Sequence, residues 1–74
     1  MISNFATQDL LRLAMSGGGF SIDIAGRTMN DLIEIARAAN GYKVQVTLRG
    51  FGTATTIEHL MTIANHGRGY VRFE

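Results

Sequence analysis

Residues Thr28–Arg49, which read TMNDLIEIARAANGYKVQVTLR, decide the fold. Met29, Leu32, Ile33, Ala36 and Ala39 recur at the spacing of one helix face. Thr28 stands before them with Asp31 three residues on, the arrangement of an N-terminal capping box. From Tyr42 the period changes to two. Tyr42, Val44, Val46 and Leu48 alternate with Lys43, Gln45, Thr47 and Arg49, as in a strand with one buried face. Between the halves, Asn40-Gly41 suits a helix end in which a left-handed residue closes the last turn. Leu32, Ile33, Ala36, Val44 and Val46 are expected to be deeply buried.

The same helix-then-strand order occurs on either side. Leu10-Leu11-Arg12-Leu13-Ala14, Leu32-Ile33-Glu34-Ile35-Ala36 and Leu60-Met61-Thr62-Ile63-Ala64 align without gaps, at offsets of 22 and 28 residues. Each continues to a glycine and an aromatic residue: Gly19-Phe20, Gly41-Tyr42 and Gly69-Tyr70. Ile57, Leu60, Met61 and Ala64 give the third helix its apolar face, with Thr55 or Thr56 as its cap and Gly67 as its stop. Asp9, Asp31 and Glu58 fall in first turns, where the helix dipole favours anions. Phe20, Ile22 and Ile24 alternate with Ser21 and Asp23 as a first strand. In the third, Val71 and Phe73 are expected inward, with Arg68 absorbed in a longer turn.

Three helix–strand units in series give α-β-α-β-α-β, and strands joined through helices are parallel, with right-handed crossovers. A parallel sheet covered on both faces has strands that read as continuous apolar runs; these alternate. The expected fold is therefore a single α/β domain over residues 1–74. Its three strands are parallel in the order 1-2-3, with helices on one face and a polar face open. That is the local geometry of an α/β solenoid or of a slice of an α/β barrel. The repeat lengths approach those of leucine-rich repeats, but the Asn-bearing pattern of those repeats is absent.

Composition narrows the function. Seventy-four residues build a modest core, which disulfides, metal or oligomerisation usually support. Cysteine is absent, which removes disulfides, thiolate metal sites and cysteine nucleophiles and leaves oligomerisation. Seven Lys+Arg against six Asp+Glu demand no polyanionic partner. No apolar run approaches the roughly 20 residues of a membrane span, and the start, Met1-Ile2-Ser3-Asn4-Phe5, lacks the pattern of a signal peptide. A cytoplasmic location and no membrane contact are expected.

Two surfaces can carry binding. The strand-to-helix connections hold Gly26, Arg27 and Thr28 in the first, and Arg49, Gly50, Gly52, Thr53, Thr55 and Thr56 in the second. Glycines let backbone approach a ligand and helix N-termini attract anions, so these nine are candidate anion- or nucleotide-binding residues. The third glycine of a dinucleotide fingerprint and the lysine of a phosphate loop are missing. The open sheet face offers Lys43, Gln45, Arg49, Tyr70 and Arg72, basic groups beside an aromatic ring of the kind that binds single-stranded nucleic acid. His59 and His66, seven residues apart, have no third ligand at a metal-binding spacing. No nucleophile–base set can be assembled from Ser3, Ser16 or Ser21. Phe20, Tyr42 and the helical methionines read as core.

The expected function is a non-enzymatic interaction module that homo-oligomerises, a dimer being favoured, without cofactor or metal. Another protein partner, nucleic acid on the open face, and an anion or nucleotide at the Gly-Thr connections are the alternatives.

Overall fold

The computed structural model describes residues 2–74. After a 3-10 turn at Ile2–Asn4, the elements are α1 (Thr7–Met15), β1 (Phe20–Asp23), α2 (Met29–Tyr42), β2 (Val46–Arg49), α3 (Ile57–Gly67) and β3 (Val71–Phe73). The strands form one parallel sheet in the order β1-β2-β3, with the helices on one face. Phe20 pairs with Val46, and Val46 with Val71; Ile22 pairs with Leu48, and Leu48 with Phe73. These alternate ladder positions thus send apolar side chains toward the helices, as the alternation predicts. Phe20, Ile22, Val46 and Leu48 are buried, and Val71 and Phe73 pack at the margin of the same core.

The N-terminal caps match the sequence. The Thr28 hydroxyl accepts the Asp31 N–H and the Asp31 carboxylate accepts the Thr28 N–H, both at 3.2 Å. Thr56, rather than Thr55, caps α3 by accepting the His59 N–H.

The helix ends do not. Gly41 and Gly67 lie inside helices, and the left-handed residues are Lys43 (φ 59°) and Arg68 (φ 50°). In α2 the Lys43 and Val44 N–H groups both return to Ala39 O, which tucks Val44 into the core against Ala39. Stopping at Gly41 would instead aim the larger, hydroxyl-bearing Tyr42 inward; Tyr42 ends the helix exposed and does not begin β2. Met15 and Met61 are likewise exposed, so the reading of Tyr42 and the methionines as core holds only for the half-buried Met29.

A left-handed L-residue is strained, and Arg68 is exposed with no side-chain hydrogen bond among the described residues to offset that. Arg68→Gly is therefore expected to stabilise the fold by about 0.5–1 kcal/mol, the relief of strain exceeding the added freedom of the unfolded chain. Urea unfolding measures it, and a loss of stability would contradict the strain assignment.

Two helix faces also differ from expectation. On α2 the buried residues are Leu32, Ile35, Ala36 and Ala39, while Ile33 is only half-buried. As the middle helix, α2 is covered from both sides as well as by the sheet. On α3 the buried positions are Ile63 and Gly67; Leu60 is half-buried, and Ile57, Met61 and Ala64 are exposed. A Cβ on Gly67 would lie 2.5 Å from Val71 Cγ2 and 3.7 Å from Ala36 Cβ, so Gly67 is where α3 closes onto both β3 and α2.

Candidate functional site

Parallel strands place both strand-to-helix connections at one end of the sheet. Their polar groups are largely engaged within the chain. The Arg27 guanidinium donates to Ser3 O at 3.0 Å, Phe5 O at 2.6 Å and Thr7 Oγ1 at 2.7 Å, so it turns toward the N-terminal segment. Thr28 is held in its capping box, with the Asp31 carboxylate at the N-terminus of α2. Gly26 precedes them at φ 79° and makes the turn.

In the second connection Arg49 donates to Ser21 Oγ across the sheet face. Asp23 leans on Gly50, where a Cβ would lie 2.8 Å from Oδ1, and the same oxygen accepts the Ala25 N–H at 2.8 Å. Thr55 N–H donates to Gly52 O at 3.0 Å, Thr56 caps α3, and Gly52 and Thr53 are exposed. Among the nine candidate anion-binding residues, Arg27, Thr28, Arg49, Thr55 and Thr56 thus have hydrogen-bond partners within the chain, and Asp23 and Asp31 bring negative charge to both connections.

The open sheet face carries Ser21, Thr47 and Arg72 side by side, and next to them Asp23 beside Arg49. Lys43 Nζ stands 5.3 Å from the centre of the Tyr70 ring, a cation–π distance, near the exposed Gln45. Arg49 lies at the opposite end of β2, so the five candidate open-face residues divide into Lys43, Gln45 and Tyr70 at one end, Arg72 beside them, and Arg49 at the other. His59 is exposed and His66 half-buried, and among the described residues no three His, Cys, Asp or Glu side chains converge. No helix of the described residues is long and apolar enough to cross a membrane.

The two ends of the stack differ more sharply than its faces. Beside β1, the Ile2–Asn4 turn covers the sheet edge: Ile2 packs on the core and Ser3 Oγ accepts the Asp23 N–H at 3.1 Å. Arg27 clamps this segment from below. Beside β3 there is no such cover among the described residues. β3 pairs only with β2, and α3 turns Ile57, Met61 and Ala64 outward, the first two each 61% exposed.

The repeat explains this surface. At the 28-residue offset, Ile57, Leu60, Met61 and Ala64 correspond to Met29, Leu32, Ile33 and Ala36. In α2 that stripe is the side covered by α3, with Ala36 against Gly67. In α3 the same stripe is exposed, with none of the described residues covering it. Periodicity alone reads it as core, because apolar spacing is identical whether or not a neighbour is present. The available signal was positional: in a stack each unit touches only its neighbours, and among the described residues α3 has a neighbouring helix, α2, on one side alone.

Comparison of the chain with protein-family models, with curated proteins and with solved structures finds no match.

Proposed function

We propose that this chain is a non-enzymatic interaction module that self-associates, as a dimer, through the α3–β3 end of its stack. One observation carries the reading: the β1 end is sealed by Ile2–Asn4 and Arg27, whereas the β3 end joins an unpaired strand edge to an uncovered apolar helix stripe. An exposed edge strand is a template for pairing with another chain, and a small core gains most from added burial. Sealing the β1 end disfavours head-to-tail growth and leaves the β3 end to meet its own kind, which closes the assembly at two.

Sedimentation equilibrium over a micromolar dilution series is expected to give twice the 8.1 kDa chain mass at the upper concentrations. A monodisperse 8.1 kDa species throughout would overturn the reading. A second reading, single-stranded nucleic acid on the open face, draws support from the Lys43–Tyr70 stack with Arg72 nearby. Asp23 and Glu74 on that face weigh against it.

A further inference from the structure

We infer that two copies join with their β3 strands antiparallel about a two-fold axis at Phe73, so that Arg72 of each faces Glu74 of the other. The inference rests on the self-association proposed above and specifies its geometry.

The hydrogen-bond phase of β3 limits the choices. Val46 N–H donates to Tyr70 O and Glu74 N–H donates to Leu48 O, both at 2.9 Å. The main-chain groups of residues 70, 72 and 74 thus face β2, and those of Val71 and Phe73 face outward. A two-fold at either residue lets the two copies of that residue exchange a pair of N–H···O bonds. A two-fold at Val71 would set Arg72 opposite Tyr70. A two-fold at Arg72 would set two guanidinium groups against each other. Only Phe73 sets Arg72 against Glu74, twice, on the open face and at the closely spaced positions of an antiparallel pair.

The helices select the same axis. Gly67 of α3 is level with Val71. Four residues back along the helix is about 6 Å, and two residues on along the strand is about 7 Å, so Ile63 is level with Phe73. An axis at Phe73 therefore sets the Met61–Ala64 stretch of α3 against its mate. An axis at Val71 would sit at the end of the helix and leave that stripe uncovered. The two sheets would merge into one of six strands with no free edge at the junction.

Charge exchange tests the register. Arg72→Glu and Glu74→Arg, each alone, set like charges opposite at two places and are expected to raise the dimer Kd by about ten- to a hundredfold. Mixing the two variants restores both attractive pairs, and the mixture should form a heterodimer with the parent's affinity. The double variant R72E/E74R should self-associate like the parent, and circular dichroism should show all of them folded, since both positions are exposed. Sedimentation velocity and native mass spectrometry read the outcome. A parent that dimerises while the single variants are unaffected, or while their mixture gains nothing, overturns the register and leaves self-association standing. A monomeric parent overturns both.

Discussion

Ile63→Ala is expected to lower the unfolding free energy by about 2–5 kcal/mol, while Met61→Ala, two residues away, changes it by less than about 0.5 kcal/mol in the monomer. Ile63 has no accessible surface, so truncation removes most of a buried side chain and leaves a cavity between α3 and the rest of the core. The total stability of small domains is about 5–15 kcal/mol, so this one loss would leave a substantial unfolded population at elevated temperature. Met61 is 61% exposed, and its loss costs the isolated chain little. Denaturant unfolding at high dilution measures both. The two substitutions exchange roles when association is measured instead: Met61→Ala should weaken the dimer, because the uncovered stripe is what a partner would bury. Equal effects of the two on unfolding would show that the face of α3 is misassigned.

Arg27→Met should cost about 2–4 kcal/mol, although Arg27 lies in a surface turn. It keeps the apolar stem but removes three donor contacts, to Ser3 O, Phe5 O and Thr7 Oγ1. Hydrogen bonds from charged groups are worth about 1.5–3 kcal/mol each, reduced here because the freed carbonyls partly regain water. The loss should be localised first. With the clamp gone, Ile2–Asn4 should detach from β1, and amide exchange should accelerate at Asp23, whose N–H is held by Ser3 Oγ. Unchanged exchange at Asp23 would mean that the N-terminal turn docks without Arg27. Detachment would also bare the β1 edge, so growth beyond the dimer is the expected consequence for association.

The type and order of the three α-helices and three strands were legible in the chain. Alternation in Phe20–Asp23 and Val44–Arg49 is a local property set by the pleat, and it implied both the one-sided helix layer and the open polar face. Thr28 with Asp31, and a threonine at 55 or 56 before Ile57, are likewise local, because a cap bonds only to the first turn of its own helix. The aromatic positions of the repeat were not equivalent in space. Phe20 opens β1 and faces the core, Tyr42 closes α2 in solvent, and Tyr70 lies before β3 under Lys43.

For the candidate sites, the sequence pointed to residues with the right chemistry but not to their partners. Arg27 and Arg49 were both read as candidate anion-binding residues of the strand-to-helix connections. Arg27 is instead the clamp of the N-terminal segment, 20 to 24 residues away in sequence, and Arg49 reaches Ser21, 28 residues away. No local pattern encodes such contacts.

The sequence by itself determined three helix–strand units, the parallel order and the polarity of the two sheet faces, because these follow from periodicity and from the handedness of crossovers. Only the tertiary structure decided where the helices stop, which stripe of α3 is covered, and which end of the stack is sealed. A helix ends where its next apolar residue can reach the core, which selected Val44 over Tyr42. A stripe is buried only if a neighbour lies on it, and Ile57, Met61 and Ala64 have the same spacing as their counterparts in α2 but are exposed among the described residues.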